Sequence, residues 1–209
     1  MTIEKGRPWG EPWTGPEYLP TVDGDADLAR LAHEAHLAGE VLVATPRSGD
    51  LLRTLGLDAP RDPGRRHRYP VDLAVAHLRA RTGGEAVTVA FVAHLTVRDR
   101  PLTGFGPGLS VAVMNAAWFD DLRLGPRAHP NDGLLDVTEG TVGPGQRREA
   151  NRRARTGSHL PHPGLRTART ATWEGAYRRP VPVWTDGVRR GRYSSIRVDV
   201  VPDAFAVVA

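Results

Sequence analysis

Carboxylates set beside glycines are where this chain is best equipped to do chemistry. Ser48-Gly49-Asp50-Leu51-Leu52-Arg53 puts backbone N–H groups at the start of a short helix, where unpaired amides and the helix dipole hold anions well. Asp50 in that first turn would oppose a bare phosphate, so a magnesium ion bridging the two is the chemistry that fits. Gly49 and Arg53 flank it. An ordinary capped helix start accounts for the same residues. A second cluster, His129-Pro130-Asn131-Asp132-Gly133, reads locally as a tight turn, because Asn, Asp and Gly tolerate positive φ. A third, Thr185-Asp186-Gly187-Val188, reads as a hairpin turn. Arg189, Arg190 and Arg192 follow it and either bind phosphate or solvate a sheet edge. His159 and His162 would share a metal only on a helix, and Pro161 and Pro163 forbid one there.

The elements that must position these groups are legible from periodicity. Leu28, Leu31, Ala32 and Ala35 recur at helical spacing across 23–38, with Gly39 as a stop. The run 40–45 is a short buried strand, and Ser48 is placed to cap a helix from Asp50 to Leu55 that ends at Gly56. The polar, Pro- and Arg-rich stretch from Asp58 to Arg68 is the boundary candidate. From Tyr69 onward the period changes to two: Val71, Leu73 and Val75 alternate, and Thr82-Gly83-Gly84-Glu85 marks a hairpin turn. Val87, Val89, Phe91, Leu95 and Val97 are expected to share one inner face. Further strands are expected at 109–117, 134–142, 165–177, 181–184, 195–201 and 204–208. The polar stretch 146–155 reads as a helix carrying Arg148, Arg152 and Arg155 on one face, either solvated or set against an anionic surface. The expected class is α+β, mainly β: a small α/β region over 1–68 and a β-sandwich over 69–209.

Composition narrows the partners. With 209 residues, 40% hydrophobic and 25% charged, the chain can bury a core. It has no cysteine, which agrees with a cytoplasmic setting. No apolar run approaches the roughly 18–20 residues of a membrane span, and no signal-peptide core stands at the N-terminus. The net charge is +4, and Lys5 is the only lysine among 28 basic residues. Such an arginine excess attracts phosphates, but no aromatic-basic motif supports nucleic acid as the partner.

The order and spacing of four segments carry a resemblance: 48–56, Val113-Met114-Asn115-Ala116, the string Pro126 to Val137, and Asp186-Gly187. Together they resemble the diacylglycerol-kinase-like lipid kinases of the NAD kinase superfamily. The resemblance implies a sandwich like the C-terminal domain of diacylglycerol kinases, ATP and magnesium as cofactors, and a lipid substrate or anionic membrane surface as partner. Cytoplasmic placement with peripheral membrane contact follows, and a homo-oligomer stays open. It also implies roles for residues. Asp186 and Asp132 stand as catalytic groups; Gly49, Asp50, Arg53, Asn115 and Asn131 as nucleotide-side groups; Asp50 as the magnesium ligand. Two family features have no counterpart in the string of residues. The glutamate of Asp-Gly-Glu, the general base for the lipid hydroxyl, is replaced by Val188. The Gly-Gly-Asp-Gly-Thr phosphate loop is not found, and Gly104-Phe105-Gly106-Pro107-Gly108 lacks the helix that should follow it. The expectation is a degenerate ATP site with weak or no kinase activity. An active lipid kinase and a non-catalytic lipid-, nucleotide- or partner-binding module are the alternatives.

Overall fold

A computed structural model describes residues 9–58, 66–80, 85–98 and 111–209. The hairpin turn expected at 82–85, most of the boundary stretch 58–68 and the glycine-rich 104–108 lie outside the described residues.

Two short strands, β1 (Glu11–Pro12) and β2 (Thr21–Val22), precede helix α1 (Asp25–Leu37), strand β3 (Leu42–Pro46) and helix α2 (Asp50–Thr54). Strands β4 (His67–Arg79), β5 (Ala86–Phe91), β6 (His94–Val97), β7 (Val111–Met114) and β8 (Leu135–Gly140) follow. A 3₁₀ turn at Pro144–Gln146 leads into helix α3 (Arg147–Ala154). Strands β9 (Leu165–Thr170), β10 (Thr172–Thr185) and β11 (Val188–Val208) complete the chain.

The two long strands organise everything else. The distal half of β11 pairs antiparallel with β4, which carries β5, while β3 joins β11 in parallel at Phe205–Val207. The far end of β10 instead pairs with β6, and β7, β8 and β9 follow in order. Register shifts at Ala176/Val181 and Val183/Trp184 mark where the β10–β11 ribbon bends between these two layers. Phe91, Leu95, Val113, Leu135, Val183 and Ile196 fill the space between them. The result is a β-sandwich.

β4 is buried on both faces, because successive side chains point to opposite sides. Ala74, Ala76 and Leu78 face the sandwich interior. Val71, Leu73 and Val75, the alternation legible in the sequence, face the other way and meet Leu28, Ala32, Leu51 and Leu52 of α1 and α2. A third cluster packs Met114 of β7 against Phe119, Leu122 and Leu124 and the α3 alanines Ala150 and Ala154.

Two strand expectations are corrected. The run 87–97 is not one strand: β5 stops at Phe91, the chain bends at Val92-Ala93, and β6 enters the opposite layer. Phe91, Leu95 and Val97 do reach the inner core, with Val89 packed at its margin, but Val87 is 49% exposed near the start of β5. The expected strand 165–177 likewise divides at Ala171 into β9 and β10, which serve different layers.

Candidate functional site

The site is assembled at the N-terminus of α2. Gly49 adopts φ +132°, a conformation L side chains rarely take, and a β-carbon there would collide with the carboxylate of Asp25. That carboxylate caps α2. It accepts the Asp50 amide at 2.6 Å and the Leu51 amide at 3.4 Å. Ser48 makes no side-chain cap, contrary to expectation, because Asp25 at the start of α1 already occupies the amides.

With its backbone held, Asp50 points its carboxylate at His94, whose Nε2 lies 3.1 Å from Asp50 Oδ2. The same oxygen accepts the Asp120 amide at 3.1 Å. His94 is 3% exposed. Its ring packs edge-on against Phe119 at 4.6 Å, and its Nδ1 has no hydrogen-bond partner. Arg53 stacks its guanidinium 3.7 Å from the Trp118 ring centre and donates to the Asp120 carbonyl. Arg98 lies 4.8 Å from both the Phe119 and Trp184 rings.

Asp186 and Gly187 both take positive φ, +45° and +77°, the signature of a two-residue hairpin turn whose twist suits its strands. The turn aims the Asp186 carboxylate at the β5–β6 bend, where it accepts the amides of Val92, Ala93 and His94 at 2.9, 3.1 and 3.0 Å. This explains how the chain can bend inside the core: the freed amides find a carboxylate.

Crowded carboxylates titrate abnormally. Burial, reinforced by the charges of Asp186 and Asp50, pushes Asp25 up to about 7. Burial also raises Asp186, against the opposing pull of His94 and the three amides. Burial alone would lower His94, but its bond to Asp50 and the charges of Asp186 and Asp25 outweigh it, and its pKa is raised. Asp120 is raised by burial and by Asp50.

These groups line a cleft of about 690 Å³ whose walls carry five aspartates and the arginines Arg47, Arg53 and Arg98. Gly49, Asp50, Arg53 and Asp186 all border it. Asn115, Asn131 and Asp132 do not. Asn115 and Asn131 belong to a buried polar knot around Asp72, which is 1% exposed, and Asp132 is half-buried next to Asn131 in sequence. Asp72 accepts amides from Gly133 at 2.7 Å and Asp203 at 2.9 Å, and the side chain of Asn131 donates to Asp72 and Asp203. Burial raises Asp72 to about 6. Asp132 accepts the Leu134 amide and pairs with Arg169. Asn115 links the two regions, giving its amide protons to the carbonyls of Asp72 and Val92. Gly164 donates to Nδ1 of His162, and burial lowers His159 to about 4. Among the described residues no three His, Asp or Glu side chains come together in a metal-holding group.

Sequence reasoning passed over Asp25, His94, Asp72 and Asp120. Only Asp25 had a signal. Asp23-Gly24-Asp25 follows strand β2 and opens helix α1, and Gly24 and Asp25 match the second glycine and the aspartate of the Gly-Gly-Asp-Gly-Thr pattern.

Residues 75–209 match the family described as the YegS C-terminal NAD kinase beta sandwich-like domain. The chain belongs to this family. Within the YegS C-terminal-type segment fall His94, Asn115, Asn131, Asp132 and Asp186, whereas Asp25, Gly49, Asp50 and Asp72 precede it. No curated protein matches the chain in sequence. Solved structures share its fold, among them three Bacillus anthracis strain Sterne proteins named as diacylglycerol kinases, two of them provisionally. One is 15% identical at a TM-score of 0.59, over 90% of this chain and 76% of that one. A second is 13% identical at 0.55 over the same shares. The third is 15% identical at 0.52, over 80% and 66%. At 90% coverage the likeness to two of these structures reaches beyond the YegS C-terminal-type segment into elements before residue 75, and at these identities it is a likeness of fold alone.

Proposed function

We propose that this is a diacylglycerol-kinase-like protein with a degenerate nucleotide side and weak or no lipid kinase activity. One observation carries the reading. The carboxylate of Asp25 fills the amide cradle at Gly49, Asp50 and Leu51, the kind of backbone hollow that would otherwise hold a phosphate oxygen. The rest of the cleft agrees. The Asp186 oxygens are taken up by three amides, and Asp50 Oδ2 by His94 and the Asp120 amide. Magnesium-ATP needs unopposed amide donors at its phosphates, and with the Asp25 carboxylate in the cradle the Asp50 and Leu51 amides are already engaged. Val188 then adds a second loss, because valine cannot accept the proton of an attacking hydroxyl. Losing a general base costs on the order of 10²–10⁴-fold in rate, and losing phosphate positioning removes a further orientational and electrostatic contribution.

The test is ATP-dependent phosphorylation of diacylglycerol and of sphingosine by wild type, Val188→Glu and Asp132→Ala. Turnover should stay near background in all three, since a restored base acts on a phosphate that is not held. Robust wild-type turnover would establish the alternative, an active ATP-dependent lipid kinase, whether or not Asp132→Ala, outside the cleft, lowers it.

A further inference from the structure

The arginines are not shared evenly among the carboxylates. On α3, Glu149 accepts from Arg152 at 2.7 Å and from Arg153 at 2.9 Å, and Arg155 pairs with Asp121 at 3.1 Å. Two of the helix's four arginines thus share one glutamate and the residue after it has an acid of its own, while Arg148 stays exposed. The β10–β11 ribbon differs. Arg178, Arg179, Arg189 and Arg192 are exposed and Arg190 is half-buried. Arg190 donates to the Thr185 hydroxyl and Arg192 to the Pro180 carbonyl, bonds that position a guanidinium without neutralising it. The acids within reach along the ribbon are committed elsewhere. Asp186 is turned toward the amides of the β5–β6 bend, and Glu174 and Asp199 are both paired with Arg197.

Strand register gathers part of this charge, while Arg178 and Arg179 fall in the register shift between Ala176 and Val181. Val183 points into the core, so its neighbours Pro182 and Trp184 lie on the opposite face. Their partners are Arg192 and Arg189, and the register shift leaves Arg190 as the extra residue of a bulge. At the tip of the same ribbon, Val188 is 41% exposed directly beside Arg189.

We propose that the bend and tip of the β10–β11 ribbon dock the protein onto an anionic lipid bilayer, guanidinium groups against headgroup phosphates and Val188 at the interface. Nucleic acid would meet the same charge, but single strands are held by aromatic side chains on which bases stack, and Trp184 on this face already has the Arg98 guanidinium 4.8 Å from its ring and donates to the Arg98 carbonyl. The apex here presents an aliphatic side chain, which suits the boundary between headgroups and acyl chains. Asp186 and Gly187 of this turn also line the cleft, so docking brings the cleft mouth to the lipid surface. The inference rests on charge placement and holds whether or not the cleft transfers phosphate.

The experiment is co-sedimentation of the full chain with phosphatidylcholine vesicles, with and without phosphatidylglycerol, at low and high salt. Binding should require phosphatidylglycerol and weaken with salt. Each arginine near such a surface is worth about fivefold in partitioning (about 1 kcal/mol). The triple variant Arg178→Gln, Arg179→Gln, Arg189→Gln should therefore bind on the order of a hundredfold more weakly, with its melting temperature unchanged. Arg152→Gln with Arg155→Gln at α3, which removes arginines already paired with Glu149 and Asp121, should bind as wild type does, and Val188→Ser should bind more weakly. Equal losses from the α3 variant, indifference to phosphatidylglycerol, or tighter retention on single-stranded RNA than on vesicles would each overturn the proposal.

Discussion

Asp25 shows how one carboxylate can do two jobs that conflict. As a cap it satisfies amides at the start of α2, a service typically worth about 1 kcal/mol. As a charge it sits among Asp50 and Asp186, and burial with that repulsion lifts its pKa to about 7. The sign follows from linkage. A carboxyl group whose folded pKa lies above its unfolded value of 3.8 binds more protons in the folded state, so its contribution to stability falls as pH rises from 3.8 to about 7 and is flat beyond. Asp186 and His94, both raised, act in the same direction. Asp25→Asn keeps an oxygen to accept the amides and removes the charge. Urea midpoints should therefore fall between about pH 5 and about pH 8 for wild type, and fall less for the variant. A wild-type midpoint that climbs over that interval would mean the amides stabilise the ionised form enough to dominate.

At the scale of elements, the interrupted strand 86–97 is the feature on which the site depends. Had β5 continued past Phe91, the amides of Val92, Ala93 and His94 would have joined a ladder, and Asp186 would have no partners in the core. The bend instead delivers His94 to Asp50 and Phe91 to the sandwich interior. Phe91 is fully buried, so Phe91→Ala should cost about 3–5 kcal/mol. Val87 is 49% exposed on the same strand, so Val87→Ser should stay within about 0.5 kcal/mol. Denaturant unfolding of both variants checks the division of one apolar run between core and surface. Equal losses would put Val87 back on the inner face.

On the scale of the whole molecule, β4 and β11 are the common wall between the sandwich interior and the N-terminal elements. Phe205 and Val207 of β11 join Val71, Leu73 and Val75 of β4 against α1 and α2. A chain begun at Tyr69 would lose the β3–β11 pairing and expose that apolar wall to water. Such a truncated chain should melt at lower temperature than the full chain and bind a hydrophobic dye. A truncation that melts like the full chain would show that the sandwich carries its own stability. Among the described residues no helix is long and apolar enough to cross a membrane.

Much of this protein was already written in short stretches of its sequence. The helices begin and end near the predicted residues, the inward positions of Phe91, Leu95 and Val97 followed from alternation, and Asp186-Gly187 announced a tight turn. Each of these depends on periodicity or on a tolerance for positive φ, properties a residue shares with its immediate neighbours. The site did not follow from such local rules. Asp25 reaches α2 across 25 residues, Asp50 reaches His94 across 44, and Asp186 reaches Val92 across 94. No local pattern marks an amide that will lack a partner until a strand bends, or a carboxylate that will be turned toward it. Those pairings were decided only when the sheets packed, because a buried amide must find an acceptor wherever the fold brings one.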